Sequence, residues 1–231
     1  MDRTRIDVNQ GEHMLVVGQT QSGKSIFLTS VAHGFDVGSL VVVDSKSDPD
    51  SLLPNCAVVR DVADVLRHLP GRVVWRPRRQ LIGRLMAEFD RVCARLLDLA
   101  ERGYSSTIVV HELGDLGDAH HIGQSYRQVI TQGAKIAGGP ERGGGAVGAL
   151  MASQRPLNIP VIAKTEIRHA VCFALERLED RQEMAGYLED RGDPRWSYEQ
   201  VSTFALPNDH SWWYRGPEKR LELHDPVALP H

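Results

Sequence analysis

Gly18-Gln-Thr-Gln-Ser-Gly23-Lys24-Ser25 meets the pattern G-x-x-x-x-G-K-[ST] at every required position. The pattern constrains the fold as well as the chemistry. Its glycines let backbone amides converge on phosphate oxygens, and it works only where a buried strand ends and a helix begins. Both flanks comply: His13-Met-Leu-Val-Val is an apolar run of strand character, and Gly23 to His33 reads as the helix that follows. In such a site the segment Gly18, Gln19, Thr20, Gln21, Ser22, Gly23, Lys24, Ser25 and Ile26 surrounds the phosphates of a nucleotide. Lys24 reaches the β- and γ-phosphates and the Ser25 hydroxyl coordinates magnesium, so ATP and Mg2+ are the expected cofactors.

Alternating strand and helix patterns fill most of the remaining chain. Strands are expected at Ser39–Asp44, Ala57–Arg60, Arg72–Trp75, Thr107–His111, Val147–Ser153 and Arg168–Leu175. Helices are expected near Val62–His68, over Gln80–Arg102, near Gln124–Ala137 and at Leu178–Leu188, with a Gly-rich loop at Gly138–Gly145. The tail from Val201 reads as short β segments around Trp212-Trp-Tyr and Leu221-Glu-Leu. The fold class is therefore α/β: a P-loop NTPase of the ASCE, RecA-like type, its mainly parallel sheet sandwiched by helices, with a small carboxyl-terminal β appendage. One domain over residues 1–231 is expected, with a core at about 13–190 and a β-rich extension at about 200–231. The apolar runs are too short to cross a bilayer, and Met1–Ile6 lacks the apolar stretch of a secretory signal. Cys56, Cys93 and Cys172 stand far apart, the pattern of reduced thiols in a cytoplasm-like compartment. A net charge of −3 gives no global attraction to nucleic acid, so binding of that kind must come from local patches.

Hydrolysis requires a carboxylate on a neighbouring strand tip. Thr107-Ile-Val-Val-His111-Glu112 supplies one: Glu112 is placed to orient or deprotonate water and to reach the metal through it. The aspartate usual before that glutamate is His111, so Asp115 or Asp44 becomes the candidate supporting carboxylate. A third apolar strand ends in Ser153-Gln154-Arg155-Pro156, and the Gln154 amide can hold the attacking water.

The chain resembles the FtsK–HerA superfamily of ring-forming DNA-pumping ATPases from about His13 to Leu188. The resemblance rests on Gly18–Ser25, Val41-Val-Val-Asp44-Ser-Lys46, His111-Glu112 and Ala152-Ser153-Gln154-Arg155-Pro156. It departs at His111 and in the Gly138–Gly145 insertion. A free-standing core of this length is similar to the genome-packaging ATPases of internal-membrane and double-jelly-roll viruses. The resemblance implies double-stranded DNA as partner, a homo-oligomeric ring (a hexamer), and docking to a capsid vertex or membrane protein. It implies a place in the host cytoplasm or with the virion. It also implies an arginine acting across a subunit interface, for which Arg142 stands at a matching offset before Gln154, with Arg168 and Arg155 as rivals. A cellular or plasmid DNA-transfer translocase, a nucleotide-dependent switch and a small-molecule P-loop kinase remain as alternatives.

Two other features carry less. Arg72, Arg76, Arg78, Arg79 and Arg84 surround Trp75, a stretch that could follow a phosphate backbone but is expected to be a buried tryptophan among solvated arginines. His120-His121 has no third ligand at a helical or hairpin spacing and is expected to be loop.

Overall fold

The computed structural model describes residues 6, 8–78, 82–116, 121–189, 193, 197–203, 206 and 209–226; Arg79 and His120 lie outside them. Runs of β-branched and aliphatic residues form the strands, because such side chains fill both faces of a doubly covered sheet. They are β1 (His13–Val17), β2 (Ser39–Val43), β3 (Ala57–Val59), β4 (Arg72–Trp75), β5 (Ser106–Val110), β6 (Val147–Ser153), β7 (His169–Cys172), β8 (Trp212–Arg215) and β9 (Leu221–His224). Their order across the sheet is β3-β4-β2-β5-β6-β1-β7-β8-β9. The strands from β3 to β7 are parallel, and β8 and β9 extend the sheet antiparallel. This is the fold of a P-loop NTPase. β6 sits between β1 and β5, with Val17 opposite Ser153 and Val110 opposite Met151. The tips carrying Gly18, Gln154 and Glu112 are thereby side by side, at the crevice where open α/β sheets bind ligands.

The helices are α1 (Lys24–His33), α2 (Val62–His68), α3 (Ile82–Glu101), α4 (Gln124–Gln132), α5 (Val161–Thr165), α6 (Leu178–Leu188) and α7 (Tyr198–Thr203). They cover the two faces unequally. Leu15, Val17, Val41, Val43, Ile108 and Val110 share one core with residues of α2 to α6. In α3 that contact is made by Phe89, Val92, Cys93, Leu96, Leu99 and Ala100, the i, i+3, i+4, i+7 stripe of an amphipathic helix. Met14, Val16, Leu40, Val42 and Val109 share a second core with Phe27, Leu28 and Ala32 of α1. Leu53 and Trp212 complete that face. Trp212 packs edge-on against Phe27, ring centres 4.9 Å apart, and stacks on His224 at 4.1 Å. The tryptophan pair of the tail therefore serves as packing for the hairpin.

Several boundaries differ from expectation. The helix begun at Gln124 stops at Gln132, whose φ of −129 leaves the helical region; the next residue, Gly133, lies so close to the Val147 carbonyl that a Cβ would stand 2.3 Å from it. The following turn is 3-10 and contains Ala137 at φ 50. Within the expected Arg168–Leu175 strand the regular ladder spans His169–Cys172, with single backbone bonds continuing at Arg168, Phe173 and Ala174. The Gly138–Gly145 segment holds a 3-10 turn at Pro140–Arg142, and Gly145 packs where a Cβ would stand 2.2 Å from the Tyr104 carbonyl. That segment is a tightly fitted corner, not a loose loop. The Arg-rich stretch is corrected at Arg76, which is no solvated arginine. Its Nε is 2.9 Å from Asp44 Oδ2, and the Asp44 side chain is 0% exposed. Arg72 donates to the Phe35 carbonyl, Arg78 pairs with Asp61 and Arg84 with Glu88. Trp75 is fully buried, as expected.

His13 is built into the sheet: its Nδ1 accepts a hydrogen bond from the Ala149 amide at 3.1 Å. Burial pushes its pKa down to about 4. Below pH 6.5 the unfolded chain therefore takes up a proton that the folded chain refuses, and stability declines as pH falls from 6.5 toward 4. The full effect approaches ~3 kcal/mol. Urea midpoints measured between pH 7 and 4.5 should fall less steeply in His13→Asn than in the wild type. Equal slopes would remove His13 from the account.

Candidate nucleotide-binding site

The phosphate loop is stitched to its neighbours before any ligand arrives. The Gly18 amide donates to the Ser153 carbonyl at 3.3 Å and the Gln19 amide to the Ala174 carbonyl at 3.0 Å. These bonds tie the loop to the tips of β6 and β7. Gly23, at φ 100, takes the left-handed conformation that turns the loop into α1. A side chain there would be strained and would face Phe173 and His210. The first amides of α1 point into the loop, unclaimed by helix bonds because helix N-termini always leave such donors.

Lys24 Nζ donates to the carbonyl oxygens of Gly18 and Gln19, both at 2.6 Å. The lysine is curled back on its own loop. Burial lowers its pKa to about 8, with the Lys46 charge acting the same way and Glu112 and Asp48 opposing. A polyanion in the loop would reverse that penalty. Ser22 Oγ is buried and has no partner among the described residues. A lysine bonded to carbonyls of its own loop, a hydroxyl unpartnered among the described residues and a helix start converge on one cradle, and they fit the phosphates of a nucleotide. Among the described residues no three His, Cys, Asp or Glu side chains form a metal-binding group.

Glu112, at the tip of β5, is almost fully buried, and its Oε2 is 2.7 Å from Lys46 Nζ. Gln154, at the tip of β6, accepts a hydrogen bond from the Thr20 hydroxyl at 3.3 Å. Lys24, Ser25, Glu112 and Gln154 thus meet at one crevice. The two arginines do not. Arg168 precedes β7 at the opposite end of the sheet, 3.7 Å from Glu12. Arg142 lies at that same end, in the corner before β6, with its side chain against Gly138. Arg155 leaves the β6 tip toward Asp180, at 3.7 Å.

Both expected supporting carboxylates already have partners in the fold. Asp44 is consumed by Arg76, by the Ser51 hydroxyl at 2.6 Å and by the Asp48 amide at 3.1 Å. Asp115 accepts from the Ser45 hydroxyl at 2.5 Å. His111 is buried, and neither ring nitrogen has a hydrogen-bond partner among the described residues. Burial lowers its pKa, against the opposing charges of Asp44 and Asp48. Three residues to which sequence reasoning gave no role reach the crevice. Lys46 holds Glu112, Asp48 faces Ser25, and His210, before β8, lies against Gly23. The one available signal was the Asp44-Ser-Lys46-Ser-Asp48 run directly after an apolar strand.

No family model and no curated protein matches the sequence. Solved structures do match in fold. The genome packaging NTPase B204 from Sulfolobus turreted icosahedral virus 2, in complex with sulfate, superposes with a TM-score of 0.69 at 13% identity, over 96% of this chain and 100% of that one. The same NTPase with ATP-gammaS gives 0.66 at 10% identity, again over 96% and 100%. The pCW3 conjugation coupling protein TcpA, in a monomer form with ATPgS, gives 0.56 at 14% identity, over 97% of this chain and 62% of that one. Among the described residues no helix is long and apolar enough to cross a membrane.

Proposed function

We propose that this chain is an ATP-hydrolysing motor of the FtsK–HerA type that moves double-stranded DNA through a homo-oligomeric ring, and that it packages a viral genome. The observation carrying the proposal is the meeting of Lys24, Glu112 and Gln154 on three adjacent strand tips of one crevice. Packaging is favoured over other DNA transport by the superposition on B204 along the whole length of both chains. The fold shared with TcpA supports the second reading, a plasmid DNA-transfer translocase.

Each residue has a chemical task. Lys24 leaves the Gly18 and Gln19 carbonyls and places its ammonium on the terminal phosphates. Ser25, at the start of α1, offers its hydroxyl to magnesium. The metal, when bound, neutralises charge on the β- and γ-phosphates. Gln154 orients the attacking water through its amide, and Glu112 accepts the water proton once Lys46 releases its carboxylate. Arg142, at the far end of the sheet, serves the site of a neighbouring copy.

The test is ATP turnover with and without double-stranded DNA. DNA should accelerate turnover, and Lys24→Ala should lower it by roughly 10²–10³-fold or more while weakening ATP binding, since it removes the cation on the developing charge. Near-normal turnover in Lys24→Ala would reject the phosphate-loop assignment. Turnover that needs a small-molecule acceptor instead of DNA would indicate a kinase.

A further inference from the structure

The residue before Glu112 leaves a task undone. In a site of this kind a carboxylate on the β5 tip would steady the magnesium-binding hydroxyl, yet His111 stands there, buried and with no hydrogen-bond partner for either nitrogen among the described residues. A carboxylate arrives from another direction. Ser25 and Thr29 lie one turn apart on the same face of α1. The Thr29 hydroxyl donates to the Asp50 carbonyl and so clamps the 3-10 turn Pro49–Ser51 onto that face. Asp48 caps that turn, accepting the Asp50 amide on Oδ1 at 3.0 Å, and its carboxylate is thereby set opposite Ser25.

The backbone of Asp48 has little freedom. Its amide donates to Asp44 Oδ1 at 3.1 Å and its carbonyl accepts from Arg76 Nη2 at 2.6 Å. Both partners belong to the buried Asp44–Arg76 pair that anchors the end of β2. We propose that Asp48 is the positioning residue of the magnesium site: it holds the Ser25 hydroxyl in the orientation that ligates the metal, in place of a carboxylate at position 111. The assignment rests on Gly18–Ser25 being a magnesium–ATP site.

The experiment is equilibrium binding of a non-hydrolysable ATP analogue to the full chain, with magnesium present and with the metal chelated. The wild type should bind more tightly with magnesium. Asp48→Asn should lose roughly 10–100-fold of affinity in magnesium, the usual cost of removing a group that orients a metal ligand. Its metal-free affinity should stay near wild type, which also shows that the loop is folded. Ser25→Ala should lose the same increment, and the double variant no more than either alone. A full magnesium increment in Asp48→Asn overturns the assignment. Loss of metal-free binding as well overturns it too, since Asp48 would then be scaffold for the loop. A wild-type chain with no magnesium increment overturns the magnesium–ATP site itself, and Asp48's role with it.

Discussion

Arg142→Ala is expected to slow ATP turnover by about 10³–10⁵-fold, the range set by arginines donated in trans, with nucleotide affinity nearly unchanged. Arg142 cannot serve its own site, because it stands at the end of the sheet opposite Lys24. Its task is open only to a ring in which a neighbour offers its phosphate loop. Turnover per subunit should therefore rise with protein concentration, or with DNA that organises the ring. Mixing Lys24→Ala with Arg142→Ala tests this most directly. Some interfaces of a mixed ring pair an intact loop with an intact arginine, and activity should return in part. Arg168→Ala serves as the comparison, since Arg168 lies at the same end of the sheet beside Glu12. No recovery in rings shown to be mixed, with turnover independent of concentration, would reject Arg142 as the donor.

Glu112→Gln is expected to lower turnover by roughly 10²–10⁴-fold, the usual contribution of a general base, and to leave ATP bound and uncleaved. The amide keeps the shape of the side chain but cannot take a proton from water. It also forfeits the charge that draws Lys46 to 2.7 Å, so Lys46 is released in the variant. Trapped nucleotide, recovered with the protein after gel filtration, is the measurement. Unaltered turnover would transfer the role of base to another carboxylate.

Local features were legible in the sequence, and pairings across long separations were not. Gly18–Ser25 announces its strand, turn and helix because every requirement falls within a few residues. Glu112 and Gln154 could be found because each ends an apolar run, and parallel strands put their tips at one edge. Arg76 read as solvated because nothing near it in the chain reveals Asp44, 32 residues earlier. Lys46 and Glu112 are 66 residues apart, and only the register of β2 with β5 brings them together. The helices Val161–Thr165 and Tyr198–Thr203 went unread, since one turn and a half is too short for a 3.6-residue period to emerge. Position 133 must be glycine for a reason that lies in another strand, the closeness of the Val147 carbonyl.

The parallel sheet gives this molecule a front and a back. Gly18, Glu112 and Gln154 stand at the front, while Arg142 and Arg168 stand at the back. Copies that join Arg142 to a phosphate loop must meet front to back, a contact that never satisfies itself within a pair and closes only as a circle. A circle built that way would have two unlike rims, so whatever threaded the proposed ring would meet an entrance different from its exit, and the strand directions alone would set a sense of travel.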